Sequence, residues 1–283
     1  MGRMTFTSTR VIWVKAHCGL YGSVSVNILR EVNLYFPRDQ LLPACYDQSL
    51  VIFNSATWQH WVLPLPIALS SSTLFCIVDS VLAVAFDEVS VSLMDMLDCS
   101  VTFLPSLDTP RRSQSLLAYR GAIYVFGGIC ENTLTASCLR LRLRTKVWTP
   151  LPDMQNEYCL TWPALWQEEA YLVPKLSGNY IEVFALASQS FRLIPRPVDL
   201  GWKGIFALCK EDQLLILRSD GLLEGWNLVT KEFTPRCKAI SAFVHELTCS
   251  PHLARKEVLW LARGQAVLHR LDLGTCKVTT MKM

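Results

Sequence analysis

The sequence predicts an all-β protein built from about six copies of one structural repeat, because three kinds of short segment recur in step along the chain. The first is an aromatic residue followed within a few positions by proline, and it recurs at intervals of 42 to 45 residues. A short apolar run precedes it, and a polar tight turn stands directly before that run. Periods of about 40 to 50 residues with several strands each are typical of a β-propeller, in which every repeat forms one blade.

These three kinds of segment, here called markers, recur at the same relative positions in all six copies. Each apolar run predicts a strand covered on both faces, since a blade buries its faces only against its neighbours. The proline fits the outer edge strand of a blade, where a missing N–H is tolerated. The apolar runs begin at Leu50, Val81, Ala122, Ala170, Gln213 and Glu257. The aromatic marker stands at Trp61, Phe103, Trp148, Phe191 and Phe233, and Val278 takes its place in the last copy without the proline.

The chain divides into an N-terminal segment, residues 1–40, and a propeller, residues 41–283. Apolar residues in the first segment recur at helical spacing and Pro37 ends the pattern, so one helix is expected there. Only eight residues separate Phe53 from Trp61, which predicts a short first blade that lacks a strand. The apolar positions of the expected helix are Val24, Ile28, Leu29, Val32 and Tyr35.

The clearest copy of the repeat lies at residues 111–154. "SLLAY" is its inner strand, the turn Arg120-Gly121 follows, and "AIYVFGG", the loop "ICENTLTAS", "CLRLRLR" and "VWTPL" complete it. The glycine pair lets the second strand turn out of a crowded blade, and Trp148 is expected to wedge against the next blade. In the last copy the same four strands are predicted at "AFVHEL", "VLWLA", "AVLHRLDL" and "CKVTTM".

Residues 111–154 resemble a kelch repeat, which combines an aromatic strand ending in Gly-Gly, a variable loop, a Trp and a Leu-Pro tail. The other five copies keep the spacing but lack the glycine pair. The resemblance extends from about residue 41 to the C-terminus and implies a kelch-type β-propeller of about six four-stranded blades. The helical segment and "VIWVK" ahead of it resemble the tail of the helical domain that precedes kelch propellers in cullin-ligase adaptors. A ligase role would therefore need a separate adaptor.

Composition narrows the classes of function. A net charge of +3 with only 18% charged residues is too weakly basic to predict nucleic-acid binding. Eleven cysteines without a C-x-x-C pair predict reduced, buried thiols and, with no signal peptide, a cytoplasmic protein. The apolar stretch 61–86 is interrupted by prolines, serines and an aspartate, so it predicts two buried strands rather than a membrane helix.

No motif predicts catalysis, a metal or another cofactor. The carboxylate pairs Asp87-Glu88, Glu168-Glu169 and Glu211-Asp212 are expected at solvated turn tips. Cys237, His245, Cys249 and His252 have a zinc-compatible spacing, but His245 falls in a predicted strand and no paired C-x-x-C supports them. The copper-radical oxidases among kelch propellers need a Tyr, a Cys and two His at the axis, whereas the five histidines here occupy unrelated repeat positions.

The face that binds a partner can be predicted from strand order. With strands named a to d from the axis outward, antiparallel pairing puts the a–b and c–d turns on one face and the b–c and d–a connections on the other. The a–b turns are short and uniform, so a partner is expected on the second face, where Trp, Tyr and Arg supply the interface energy. The candidate residues are Arg111, Arg112, Trp162, Trp202 and Lys203 in d–a connections, and Lys175, Tyr180, Arg218, Asp220 and Arg263 in b–c loops.

The predicted function is that of a protein-interaction module for a protein or peptide. One alternative is a substrate receptor of a cullin-type ubiquitin ligase, and another is a propeller enzyme acting on a sugar or small molecule. Trp162 and Trp202 could also fill gaps between blades instead of binding. The alternating stripe Arg140, Arg142 and Arg144 is either a solvated strand face or a basic stripe for an acidic partner.

Overall fold

The computed structural model describes residues 41–46, 49–54, 60–64, 74–78, 82–95, 100–157, 163–174, 180–195, 204–218, 220–238, 252–254, 257–261 and 267–282. Every regular element in these ranges is a β-strand, and all strand pairs are antiparallel. The strands form six blade-like sheets and one small additional sheet. The predicted all-β fold is therefore confirmed.

The strands follow one another along the chain in the order of the blades. Blade 1 contains β1 (Leu41–Tyr46), β2 (Ser49–Asn54) and β3 (His60–Pro64). Blade 2 contains β4 (Leu74–Ile77), β5 (Leu82–Asp87), β6 (Ser90–Asp95) and β7 (Val101–Leu104). The strand β8 (Arg111–Arg112) comes next. Blade 3 contains β9 (Ser115–Tyr119), β10 (Ala122–Phe126), β13 (Cys138–Arg142) and β14 (Val147–Leu151), with β11 (Ile129–Cys130) and β12 (Thr133–Leu134) between β10 and β13.

The second half of the chain contains three further blades. Blade 4 contains β15 (Ala164–Trp166), β16 (Glu169–Leu172), β17 (Tyr180–Ala185) and β18 (Ser190–Pro195). Blade 5 contains β19 (Gly204–Lys210), β20 (Gln213–Arg218), β21 (Leu222–Asn227) and β22 (Phe233–Lys238). Blade 6 contains β23 (His252–Ala254), β24 (Glu257–Leu261), β25 (Val267–Asp272) and β26 (Val278–Lys282).

Strand order within the blades matches the predicted order a to d. Blades 2 to 6 each have four strands paired in sequence order, and blade 1 has three among its described residues, as its short repeat predicts. The first strands of neighbouring blades contact each other, β1 with β4, β4 with β9, and β15 with β19. The expected helix and the whole segment 1–40 lie outside the described residues, so the domain boundary stays a prediction.

The apolar stretch 61–86 contributes strands in the parts that the structure describes. It contains β4 and parts of β3 and β5, and Leu74 and Cys76 of β4 are buried. Among the described residues no helix is long and apolar enough to cross a bilayer.

The aromatic marker lies in the last described strand of blades 1 to 5, and Val278 lies in that of blade 6, as the spacing predicts. Its direction differs from the expectation, because Trp148 packs against the preceding blade instead of the next one. Its indole Nε1–H donates to the carbonyl oxygen of Pro105, just after β7 of blade 2 (2.8 Å). Phe191 of blade 4 repeats this arrangement and meets Phe126 of blade 3 edge-on, at 6.4 Å between ring centroids. Phe103 differs from Trp148 and Phe191, since it is 68% exposed.

Blade 3 is buried on both faces. Ile123, Leu141 and Trp148 lie opposite one another on adjacent strands and join the cluster that contains Leu104 and Leu107 of blade 2. On the other face Tyr124, Phe126 and Cys138 pack with Ala170, Leu172 and Phe184 of blade 4. This double coverage explains the continuous apolar runs, because each strand faces a neighbouring blade on both sides.

The inner strand of blade 6 was predicted wrongly. The strand that pairs with β24 is β23, with Ala254 opposite Glu257, and not the predicted "AFVHEL". The polar turn that the sequence predicts directly before the apolar run at Glu257 already required a strand that ends close to that run, since short connections join adjacent antiparallel strands. His252 therefore lies in a strand and not in the loop expected for it.

The face formed by the a–b and c–d connections, here called the turn face, is built by repeated backbone hydrogen bonds. In blades 3, 4 and 5 the backbone N–H of the first residue in the c–d turn donates to the carbonyl oxygen of the second residue in the a–b turn. In blade 3, for example, Leu143 N–H donates to Gly121 O (3.0 Å). The fourth residue of each c–d turn has a positive φ and donates to a carbonyl four residues earlier. These fourth residues are Lys146, Gln189, Lys231 and, in blade 6, Cys276.

Candidate functional site

The opposite face, formed by the b–c and d–a connections and here called the loop face, has an irregular construction. The chain between blades 2 and 3 crosses the b–c turn of blade 2, where Leu107 N–H donates to Val89 O (3.0 Å) and Arg111 N–H to Glu88 O (2.9 Å). It then forms β8, which pairs with β11 of blade 3. We call the resulting unit, residues 105–114 and 127–137, the loop platform.

A hairpin within the b–c loop of blade 3 extends the loop platform. Strands β11 and β12 pair through Ile129–Leu134 and Cys130–Thr133, so the sheet order is β12-β11-β8. Glu131 and Asn132 form the turn with φ of 48° and 66°, the left-handed pair that a tight hairpin turn requires. The segment "ICENTLTAS" was expected to be an irregular loop. Asn in a two-residue turn was the signal in the sequence that could have revealed the hairpin.

The glycine pair acts as the kelch-like pattern predicts, and the structure adds the reason. Gly127 and Gly128 have φ of 55° and 103°, and only glycine adopts the second value without strain. A Cβ on Gly128 would lie 2.8 Å from the carbonyl oxygen of Arg112 and 3.0 Å from the backbone of Gln114. The glycine pair therefore leaves room for the d–a segment to pack against the end of strand b.

Arg111 holds the loop platform together from inside. Its residue is only 5% exposed, and its guanidinium donates to the carbonyl oxygens of Gly127 (3.1 Å) and Ser137 (2.8 Å) and to Ser137 Oγ (2.6 Å). These acceptors stand at the two ends of the b–c loop. The side chain thus closes the loop by donating hydrogen bonds to backbone carbonyls and a hydroxyl at its two ends.

Arg112 points to the other side of β8, because successive side chains of a strand alternate. It is exposed and donates to Asn132 Oδ1 of the hairpin turn at 2.7 Å. Leu134 is an apolar neighbour on the edge strand β12, with 38% of its surface exposed. The loop platform therefore presents a cation, an amide and an aliphatic side chain on an ordered backbone.

Blade 5 closes its b–c connection by a different set of contacts. Arg218 at the end of β20 donates to Glu224 Oε1 of β21 (2.7 Å) and to Asp220 Oδ2 in the loop (2.6 Å). The side chains of Arg218 and Glu224 are 9% and 6% exposed, whereas that of Asp220 is 50% exposed. Asp220 Oδ1 also accepts from the N–H of Leu222 (3.1 Å). A buried ion pair therefore fixes this loop.

Blade 4 uses a carboxylate to hold the d–a connection that precedes it. Glu182 is fully buried in β17, and its Oε1 accepts from the backbone N–H of Gln155. Burial raises the pKa of Glu182, while hydrogen bonds from the N–H groups of Gln155 and Asn156 oppose that shift. Glu182 and its role were not foreseen from the sequence, in which a single Glu inside an apolar strand carries no distinctive signal.

The ten predicted partner-binding residues are only partly brought together. Arg112, Tyr180 and Asp220 are exposed on the loop face, and Tyr180 is 41% exposed. Arg111 and Arg218 are buried and bonded within their own loops, because carbonyls and carboxylates converge on them. Their geometry favours a structural role. Trp162, Lys175, Trp202, Lys203 and Arg263 lie outside the described residues, so their binding role stays a prediction.

The cysteines show two kinds of environment. Burial raises the pKa of the thiols of Cys138 and Cys209 to about 12, so at neutral pH they are protonated and poor nucleophiles. Cys276 is disulfide-bonded. The prediction that the thiols are reduced is therefore wrong for Cys276, and the cytoplasmic location stays a prediction without that support.

The four residues with a zinc-compatible spacing are only partly covered by the described part of the chain. Cys237 lies in β22 and His252 in β23, whereas His245 and Cys249 fall outside the described residues. Within the described ranges, no group of three or more His, Cys, Asp or Glu side chains is placed to hold a metal ion.

Comparison with known proteins agrees with this fold. The family model of the kelch motif matches residues 110–155. The structure is similar to that of YjhT, with a TM-score of 0.55 and 13% sequence identity over 69% of this chain and 73% of that one. No curated protein matches the chain significantly. Residues 110–155 are therefore a kelch repeat, and the chain has the fold of a kelch-type β-propeller.

Proposed function

We propose that this protein is an interaction module that binds a protein or peptide partner on its loop face. The observation that carries the proposal is the loop platform, in which a d–a segment and a b–c hairpin from successive blades form one small sheet. A loop that pairs with its neighbour keeps its exposed side chains in place before a partner arrives. Binding then costs less conformational entropy, which is the advantage of a preorganised surface.

The exposed side chains on this face have the chemistry of interface anchors. Arg112 offers a planar cation with several donors, Leu134 offers apolar area, and Tyr180 combines apolar area with a hydroxyl. Arginine and tyrosine are enriched among the residues that carry most of the binding energy in protein interfaces. The combination supports recognition of a polypeptide that presents both an acceptor group and an apolar side chain.

Catalysis has less support on the same face. Glu182 is fully buried and accepts a hydrogen bond from the backbone of Gln155, and Glu224 pairs with the buried Arg218. A general acid or base must come within hydrogen-bond reach of the substrate. These two carboxylates serve the loops instead, and we therefore place the enzyme alternative behind the binding module.

The test compares partner capture by matched surface variants. Arg112→Ala and Tyr180→Ala change exposed side chains of the loop face, while Lys146→Gln removes an exposed charge from the turn face as the control. We expect both loop-face variants to lose proteins that the unmodified chain and Lys146→Gln capture, with unchanged melting temperatures. Mass spectrometry identifies the captured proteins, and cullin or adaptor subunits among them would support the ligase-receptor alternative. Equal capture by all variants would exclude the loop face as the binding surface.

A further inference from the structure

A basic cleft opens on the turn face between blades 3 and 4. Its volume is about 630 Å³, within the range of about 300–1,000 Å³ typical of ligand sites. Blade 3 supplies most of the lining and blade 4 supplies the opposite wall. The cleft is lined by Tyr119, Arg120, Gly121, Ala122, Tyr124, Arg140, Arg142, Arg144 and Thr145 of blade 3 and by Glu168, Leu186 and Ala187 of blade 4.

The register of blade 3 explains why arginines line this cleft. Arg140 lies opposite Tyr124 and Arg142 opposite Ala122, on the sheet face that packs against blade 4. Toward the loop face the same surface is filled by Phe126 and Cys138. Near the turn face, guanidinium groups that border the cleft therefore replace the apolar contact between the blades.

The charges of the cleft are not balanced internally. Four arginines and one glutamate line it, a formal charge of +3. Arg120 pairs with that glutamate, Glu168, at 2.5 Å. Within the described part of the chain, no carboxylate lies at salt-bridge distance from Arg140, Arg142 or Arg144. The cleft therefore holds an excess of positive charge that a ligand can neutralise.

Arg140 supplies a second indication. Its Nε–H is buried and has no hydrogen-bond partner among the described residues. A buried donor without an acceptor is unfavourable, and the Nε–H groups of Arg111 and Arg218 share this feature, but of the three only Arg140 lines the cleft. An acceptor oxygen brought by a ligand would satisfy this donor. The exposed Arg142 and Arg144 would complete the contact from the solvent side.

We propose that this cleft binds an acidic peptide segment of a partner protein through its carboxylate or phosphoryl oxygens. Arg140 and Arg142 alternate along β13, so their α-carbons are about 6.6–6.8 Å apart, the same repeat as alternate side chains of an extended peptide. The cleft is also longer than one anion requires, since it runs from the a–b turn at Arg120 to the c–d turn at Arg144. Guanidinium groups bind both kinds of oxyanion with paired hydrogen bonds.

The site is independent of the loop face, because it lies at the opposite ends of the strands. A partner could occupy one face while the other remains free. This proposal can therefore be tested separately from the function proposed above, because the residues changed in its variants lie outside the loop platform.

The test measures binding of short fluorescent peptides by anisotropy. One peptide carries Glu at alternate positions of a Ser-rich heptapeptide, a second carries Gln there, and a third carries phosphoserine. We expect the Glu and phosphoserine peptides to bind at about 50 mM salt and to weaken at about 300 mM salt, while the Gln peptide does not bind. The ratio of the two acidic affinities shows which oxyanion the cleft prefers.

Matched variants locate the binding. Arg142→Glu with Arg144→Glu should weaken acidic-peptide binding at least about tenfold, whereas Lys146→Gln, which also removes one positive charge from the c–d turn, should leave it unchanged. Arg112→Ala on the loop face should leave it unchanged as well. Equal weakening by Lys146→Gln, binding that survives the double variant, or tighter binding of a single-stranded oligonucleotide of the same charge would overturn the proposal.

Discussion

The loop face and the turn face of this propeller are stabilised in different ways. On the loop face, individual buried side chains fix the connections: Arg111 in blade 3, Glu182 in blade 4 and Arg218 in blade 5. On the turn face, backbone hydrogen bonds of one pattern recur in successive blades, and most side chains of the turns are exposed, although the leucine that begins each c–d turn of blades 4 to 6 is buried.

The difference teaches where sequence changes are tolerated. Replacing one of these buried side chains on the loop face removes the hydrogen bonds that hold its connection, so the cost in stability is large. Replacing an exposed side chain on the turn face leaves the backbone hydrogen bonds in place. The turn face can therefore vary its side chains for recognition, whereas the loop face can vary only those that point outward.

The largest effect is expected for Arg218→Met. It leaves the buried carboxylate of Glu224 without its ion-pair partner, and breaking a buried pair in this way costs about 3–5 kcal/mol. The matched turn-face variant is Arg120→Met, which breaks the 2.5 Å ion pair with Glu168. Because the side chains of Arg120 and Glu168 are 71% and 44% exposed, this change should lower the free energy of unfolding by at most about 1 kcal/mol. Urea denaturation of both variants measures the difference.

A second change distinguishes a lost ion pair from lost packing. Adding Glu224→Gln to Arg218→Met removes the uncompensated charge, so the double variant should be more stable than the single one. An unchanged free energy of unfolding would mean that the carboxylate of Glu224 is not the source of the cost.

Two glycines give the next largest contrast. Gly128→Ala on the loop face should lower the free energy of unfolding by about 2–3 kcal/mol, since φ is 103° and the new Cβ would meet the backbone of Arg112. Gly121→Ala on the turn face should cost only about 1 kcal/mol, because φ is 70° and no atom lies within 4 Å of the added Cβ. Equal costs would show that close approach of the d–a segment is unimportant.

The smallest effect concerns pH and Glu182. Its pKa is raised above the ordinary value of 4.5 by burial, so the folded state binds the proton more tightly than the unfolded state does. The group therefore stabilises the fold fully at low pH, and that contribution is lost as pH rises through the raised pKa. Glu182→Gln keeps the acceptor oxygen for Gln155 and should remove this decline. Melting temperatures of both proteins between about pH 4 and pH 7 test it, and parallel curves would contradict the assignment.

The fold could be predicted from the sequence because its signal is repeated. Trp61, Phe103, Trp148, Phe191 and Phe233 all fall in the last strand of their blades. The regular spacing of these aromatic residues did not show whether each one contacts the preceding or the next blade, since that depends on the twist of one blade over the next. The inner strand of blade 6 was misplaced because "AFVHEL" and "HLA" are both apolar, and only the pairing partner distinguishes them.

The candidate site was less accessible to sequence reasoning. Arg111 and Arg112 are adjacent and chemically identical, yet one is 5% exposed and the other faces solvent. Alternation along β8 separates them, but a two-residue strand gives no pattern from which to predict which side faces in. The burial of Arg218 was hidden for a related reason, because its partner Glu224 lies in the next strand and the ion pair exists only after the strands align.

The loop platform also makes the structure of one connection depend on the packing of two neighbouring blades. Strand β11 belongs to blade 3 but takes its second neighbour, β8, from the connection that leaves blade 2. The same connection donates the N–H groups of Leu107 and Arg111 to Val89 O and Glu88 O of blade 2, and these two hydrogen bonds can form only when blades 2 and 3 are side by side. These two amide groups thus report on the closure of adjacent blades, and any event that separates blade 2 from blade 3 would expose them to hydrogen exchange.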